Sequence, residues 1–326
     1  MAGYVLRRAA GHVLLLSLGA SFAYVIAAAC LRPRAEFEAR SPRPPQWVID
    51  AELNRLGLNE DRPLIVRYAN WAAGVVRGDF GRTVDDRLVG DELGRRGLVS
   101  LRLLLPGAVA GAVLGVLLGA RGAVRRHRVG DRLSTVAAIA VLATPAFVLA
   151  ILLQSGAQWI NAAAGSPIFA YVGEYAPGET GGRLAGLGDR LRHLILPTLT
   201  IALGQIALYS RYQRTLLLDA LSAGPVRAAL ARGVRRRTAV RKYALRPTLV
   251  PVAIYAAYQA GPLLTGMTLT EKVFGWHGVG EWLVDSIARG DVNAVAAIGC
   301  CAAALVLTAR LLADILAAAI DPRVCR

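Results

Sequence analysis

The sequence predicts an all-α polytopic membrane protein with six transmembrane helices, a long extracytoplasmic loop after the first and a short cytoplasmic helix between the fourth and fifth. Three observations predict it. The 326 residues are 55% hydrophobic, with a mean hydropathy of +0.45, which is too apolar for an ordinary soluble fold. The formal net charge of +16 is almost absent from six windows of about 20 residues, each long enough to cross a bilayer core of ~30 Å. Much of that charge gathers in two short segments, "RGAVRRHRVGDR" (121–132) and 211–246. In a soluble protein so basic a balance would first suggest nucleic acid; here it predicts no nucleic-acid partner and contact with membrane lipid instead.

The windows are residues 9–30, 101–121, 133–155, 193–212, 247–270 and 292–318. Inside a bilayer they must be helices, because every backbone N–H needs a partner within its own segment. The first follows Arg7 and Arg8 and ends in "AAAC" at Cys30, as a cleaved signal would. Its apolar run of about 20 residues exceeds the ~7–15 of a signal core, so it is expected to stay as an anchor. Arginine placement sets the orientation. Segment 121–132 has five arginines and one acid, and 211–246 has ten basic residues against Asp219 alone, so both are expected in the cytoplasm, with both termini on that same side. Residues 31–98 then lie outside, as an extracytoplasmic subdomain with twelve arginines and eleven acids, Pro-rich at "RPRAEFEARSPRPPQ" and helical in "PQWVIDAELNRLGL". The whole, 1–326, reads as a single transmembrane domain of a multi-pass protein of the plasma (inner) membrane.

The second span places glycine at every fourth position, Gly107, Gly111, Gly115 and Gly119. On a helix these form one smooth ridge against which another helix can pack closely, the usual means of association where burial in lipid gives no driving force. Pro145, Pro197, and Pro251 with Pro262 each remove a helical hydrogen bond and predict kinks in the third, fourth and fifth spans. Polar uncharged residues at membrane depth face other helices or a watery path. Gln205, Tyr255, Tyr258, Gln259 and Thr265 are the candidates, with interhelical hydrogen bonding and lining of a translocation path both open.

Several chemistries lack their residues. The only lysines, Lys242 and Lys272, are followed by Tyr243 and Val273, so no phosphate-binding Gly-Lys-Ser/Thr loop exists. Cys30, Cys300, Cys301 and Cys325 have no metal-ligand spacing, and His12, His127, His193 and His277 are scattered, so neither a metal site nor a catalytic residue is predicted. Charges within the spans are few: Arg102, Arg121 and Arg211 near span ends and the i,i+4 pair Arg310 and Asp314. A proton-driven carrier would keep an acid or histidine relay near the midplane.

In "SAGPVRAALARGVRRR", Pro225 stands where a first-turn proline would, and Gly233 where a helix commonly ends in the left-handed conformation. Between them lies a helix of about two turns, far shorter than the roughly 12–15 residues that are marginal alone in water. Its small residues Ala228, Ala229 and Ala231 leave the backbone near the surface, while Arg227 and Arg232 project as charge. Such a piece suits a groove on a partner protein. Arg235, Arg236 and Arg237 need only the positive-inside rule.

"VRAALARG" followed by "AVRKYALRPTLVP" resembles the EAA loop of ABC-importer permeases, most closely the oligopeptide/dipeptide/nickel group. Arg227, Ala228, Ala231, Arg232, Gly233 and Val234 match the loop, and Ala244, Leu245, Arg246, Leu249 and Pro251 match its sequel. Further blocks are "LGLNEDRPLIVRYANWAAGVVRGDFGRT" (56–83), typical of the B-type subunit, "ATPAFVLAILL" (143–153), "RHLILPTLTIALGQIALYSRYQR" (192–214), "TEKVFGWHGVGEWLVDSI" (270–287) and the terminal "DPR". Gly224 and Pro225 stand where the family commonly has an acidic-aromatic pair, Leu230 where a basic residue is common, and His277 where Pro is usual. The resemblance implies a transport permease that is not itself an enzyme. It would work with a second, C-type permease, two cytoplasmic ABC ATPases and an extracytoplasmic substrate-binding protein. No cofactor is expected on this chain, since ATP and Mg would be held by the ATPases. Residues 213–246 would form the cytoplasmic EAA-type coupling loop, with Pro225, Val226, Arg227, Ala228, Ala229, Ala231, Arg232, Gly233 and Val234 meeting the ATPase, and peptides are the expected cargo. The reading from another class is a channel or secondary carrier not driven by ATP.

Overall fold

A computed structural model of the chain describes residues 2–176 and 183–320. The "DPR" terminus and Cys325 lie outside the described residues, and of Thr265 only the backbone is described. The described residues are overwhelmingly helical, the one bridge of extended backbone being the isolated pair Arg82 and Leu88. Two compact units emerge: residues 1–100 with 277–311, and residues 101–276 with 312–326.

The first unit is built on α1 (Ala2–Cys30), α2 (Pro33–Glu38), α3 (Gln46–Leu56), α4 (Leu64–Val76), the start of α5 (Val89–Val124), α13 (Val279–Ala288) and most of α14 (Val292–Ile320). The expected helix in "PQWVIDAELNRLGL" is α3, closed by Gly57 at φ +71. Its apolar spacing turns Ile49, Leu53 and Leu56 onto a core shared with Tyr24, Trp71 and Val292. Tyr24 stacks on Trp71 with centroids 4.7 Å apart, and Ser21 Oγ lies 2.6 Å from the Tyr68 hydroxyl, so α4 lies against α1. The long loop is then fastened to the start of α14. Asp291 Oδ2 accepts the Val84 N–H at 3.0 Å, Oδ1 accepts the Ala294 N–H at 3.1 Å, and Asn293 Nδ2 donates to the carbonyls of Leu56 and Arg82 at 3.2 and 2.9 Å. Buried bonds of this kind are each worth about 1 kcal/mol when made and more than that when one partner is lost.

The second unit holds the rest of α5, α6 (Val129–Ala143), α7 (Ala146–Ala164), α8 (Arg183–Ser222), α9 (Gly224–Ala231), α10 (Arg236–Ala239), a π-helical turn (Val240–Leu245), α11 (Arg246–Tyr258) and α12 (Ala260–Phe274). Among the described residues, five helices are long and apolar enough to cross a membrane: Ala10–Cys30 of α1, α5, α7, Gly186–Ser222 of α8 and Val292–Ile315 of α14. The windows expected as third and fifth spans are each two helices. In 133–155 the chain leaves helix at Thr144 (φ −92, ψ 124), the residue that Pro145 forces out of the α region. In 247–270 the break falls at Gln259, three residues before Pro262, which takes a first-turn place in α12 where its missing N–H costs nothing. Pro197 and Pro251 lie inside continuous helices, so two of the four expected interruptions are breaks and two are not.

Candidate functional site

The short helix α9 starts from Ala223 in extended conformation (φ −73, ψ 156), with Pro225 in its first turn. It stops in a Schellman arrangement: Gly233, at φ +80, donates its N–H to Leu230 O at 3.0 Å, and Val234 donates to Ala229 O at 3.1 Å. A methyl group at 233 would meet nothing within 4 Å, so the backbone conformation alone requires glycine there. Val226 and Ala229, three apart, are both buried, and Val226 joins an apolar cluster with Ala123, Leu217 and Ala244. The opposite side is open: Pro225, Arg227, Ala228 and Ala231 are exposed, as is Leu230 at 42%. Arg232 bends back, its Nε donating to Ala228 O at 3.2 Å, and Val234 is half-buried. The result is a rigid two-turn knob, seated on the ends of α5 and α8 and on the π-helical turn that leads into α11. Its outer face offers small side chains, one leucine and one free-standing arginine.

Two polar pairings that the residue pattern did not reveal stiffen this end of the unit. Asp131, at the start of α6, takes both Arg214 Nε (2.7 Å) and Nη2 (2.9 Å) in a forked ion pair and also accepts the His127 N–H at 3.1 Å. The Arg214 guanidinium holds the Asp131 carboxyl below the usual carboxylate range. Gly122 gives the carboxylate room, since a methyl there would lie 2.9 Å from Oδ1. Nearby, the fully buried Gln213 donates to Thr248 Oγ1 at 2.9 Å, and Thr248 donates to Leu245 O at 2.8 Å. This links α8 to α11 at the π-helical turn. The available signal was that Asp131 is the lone acid among five arginines in 121–132, a position that asks what it neutralises.

The glycines of α5 lie along one face of α8. A methyl on Gly107 would come within 2.9 Å of Ile201 Cβ, on Gly111 within 3.0 Å of Ala202 O, and on Gly115 within 3.0 Å of Ile206 O; on Gly119 it would run into Ser210 O. All four positions are thus occupied by backbone-to-backbone approach, the closest packing two helices can adopt.

Of the polar candidates, Gln205 is on α8 beside Gly111, half-buried. Tyr255 on α11 stacks on Tyr212 (centroids 4.3 Å) and meets Tyr209 edge-on (6.1 Å); the two α8 tyrosines were not among the candidates. Tyr258, one turn on, is exposed and donates to Asp314 Oδ1 at 3.4 Å. Gln259 is the hinge residue, its carbonyl accepting the Leu263 N–H at 3.0 Å. Thr265 contributes its backbone to α12. The structure therefore gathers Tyr255 with Tyr209 and Tyr212 and leaves Tyr258 apart from that stack.

Comparison with known proteins follows the same segments. Residues 111–326 match the family described as binding-protein-dependent transport system inner membrane component. The chain is 50% identical over 324 residues to the oligopeptide transport system permease protein OppB of Mycobacterium tuberculosis (strain ATCC 25618 / H37Rv), covering 99% of each chain, and has the same identity to that of Mycobacterium bovis. It is 32% identical over 284 residues to the glutathione transport system permease protein GsiC of Escherichia coli (strain K12), covering 87% of this chain and 86% of that one.

Proposed function

The chain belongs to the family of binding-protein-dependent transport system inner membrane components, and from that premise we propose that it is the B-type permease of an ATP-driven importer of peptides. As a member of that family it is a multi-pass inner-membrane ABC permease and not itself an enzyme. In the proposed complex it lines the path with a C-type permease, receives cargo from an extracytoplasmic binding protein over residues 31–98, and is moved by two cytoplasmic ATPases that hold ATP and Mg. Peptide cargo is supported by the names of the relatives, OppB above all.

The observation that carries the reading is α9: a helix too short to stand alone, buried on one face by Val226 and Ala229, fixed at its end by Gly233, and open on the other face. The ATPase groove takes that outer face, and the load passes through Leu217 to α8 and through Ala244 to α11. Six crossings follow if α6 with α7, and α11 with α12, each act as one interrupted span. That arrangement puts both termini in the cytoplasm and treats 1–326 as one transmembrane domain, with 213–246 as its coupling loop. Gly107, Gly111, Gly115 and Gly119 serve as the packing ridge, and Gln205, Tyr255, Tyr258, Gln259 and Thr265 serve the path. Replacing Arg227, which projects from the open face, tests the assignment. Arg227→Glu is expected to insert at wild-type level and to lose peptide uptake by tenfold or more; normal uptake at normal expression rejects α9 as the lever.

A further inference from the structure

Beside the α9 seat, the end of α5, the 125–128 turn and the α10–π-turn segment border an open hollow of about 1000 Å³ in the second unit. Six arginines line it: Arg125, Arg126 and Arg128 from one segment and Arg236, Arg237 and Arg241 from another more than a hundred residues away. No acid lines it, and among the described residues none of the six side chains has an ion-pair or hydrogen-bond partner. The positive-inside rule explains arginines near a span end. It does not explain their convergence from two distant segments on one hollow.

The arginine turn is held in place. His127, between Arg126 and Arg128, has φ +67, a left-handed conformation that a non-glycine residue keeps only when its surroundings impose it. What imposes it is Asp131, which accepts the His127 N–H while clamped by the forked Arg214 pair. The cationic wall is thus pre-shaped before any ligand arrives. The remaining wall is apolar, from Val124, Val240 and Leu245, and Val124 is the last residue of a membrane-crossing helix. The hollow therefore opens where hydrocarbon gives way to headgroups.

A fork of guanidiniums beside aliphatic side chains at that depth has one fitting chemistry, a phosphate carried on an acyl chain. We propose that this hollow binds the headgroup of an anionic phospholipid. Its phosphate is taken by the arginines of the two segments, and its glycerol end rests on Val124, Val240 and Leu245. The bound lipid bridges the α5–α6 turn to the segment that leads from α9 into α11, so anionic lipid content sets how firmly the α9 seat is held.

The test uses the importer complex purified with its partner subunits and reconstituted in vesicles of phosphatidylcholine with or without phosphatidylglycerol, with retained lipid read by mass spectrometry. Phosphatidylglycerol is expected to be retained over phosphatidylcholine, and Arg126→Gln/Arg237→Gln/Arg241→Gln to weaken retention about a hundredfold, at ~1 kcal/mol per arginine. The triple Lys replacement, which keeps the charge, should retain most of it, as should Arg190→Gln/Arg192→Gln, which removes exposed arginines elsewhere. Thermal stability and subunit stoichiometry of each variant report folding. Unchanged retention in the triple Gln variant overturns the proposal. So does saturation of the hollow by pyrophosphate with no dependence on vesicle composition, which would give it to a soluble phosphate. Loss of the ATPase subunits with lipid retention intact overturns it as well and gives the surface to a protein partner.

Discussion

At the scale of single residues, Gly233 and Asp291 make unlike demands. Gly233 is needed for its backbone: φ is +80 and the space around it is empty, so a side chain costs only the left-handed penalty of roughly 1–2 kcal/mol. Uptake is therefore expected to fall in the order Gly, Asn, Ala at this position, because Asn tolerates the left-handed region best among other residues. Equal activity of Asn and Ala would show that shape, not dihedral, matters there. Asp291 is needed for its carboxylate oxygens. Burial raises its pKa to about 6, against the lowering pull of the N–H groups of Ala294 and Val84. The folded pKa lies above the unfolded one, so the contribution favours the folded form below about pH 4 and is lost as pH rises through about 6, some 3 kcal/mol in all. Hydrogen exchange at the Val84 amide, corrected for its intrinsic rate, should lose protection between pH 5 and 7, and Asp291→Asn should flatten that dependence. The role of Gly233 was legible in the sequence, since proline, small residues and glycine at that spacing spell a capped short helix. That of Asp291 was not, because its partner Val84 is 207 positions away and nothing local marks the pairing. Asp131 had a local mark, as the lone acid among five arginines, but its partner Arg214 is 83 positions away and was not legible.

At the scale of elements, what was legible followed periodicity and what was not followed competition between positions. Glycine at every fourth place in α5 announced a close helix contact, though not that α8 would supply it. The test separates packing from helix propensity. Gly111→Ala pushes a methyl against Ala202 O, at 3.0 Å, and is expected to destabilise the purified protein by about 1–3 kcal/mol. Gly204→Ala on α8 meets nothing within 4 Å and should stabilise by up to about 1 kcal/mol through propensity alone. If thermal melts move alike for both, the ridge is not a packing surface. The prolines show the limit of local rules. Pro145 and Pro262 fall where a new helix can begin and become breaks, whereas Pro197 and Pro251 are carried inside helices that continue past them. Composition alone does not tell these cases apart, because tertiary packing decides them.

At the scale of the whole molecule, the apolar windows and the arginine distribution were enough for the class. The chain has no Gly-Lys-Ser/Thr loop, so it cannot hydrolyse ATP through that motif. The last prediction is that peptide uptake, from outside in the presence of the binding protein, into reconstituted vesicles loaded with ATP should require that ATP and survive collapse of the proton gradient, and the chain should co-purify with a protein carrying the Gly-Lys-Ser/Thr loop. Uptake that follows the gradient with no ATP supports the carrier reading instead. Legibility stopped at the long loop, where α3 could be outlined but neither α4 (Leu64–Val76) nor the attachment of the loop could. That attachment has a consequence in time. Val84, Leu56 and Arg82 wait for Asp291 and Asn293, residues made some 200 positions later; at ~5–20 residues per second the wait is about 10–40 s. Throughout it residues 31–98 have been synthesised but lack their clasp, so the nascent segment depends on whatever guards it until α14 arrives.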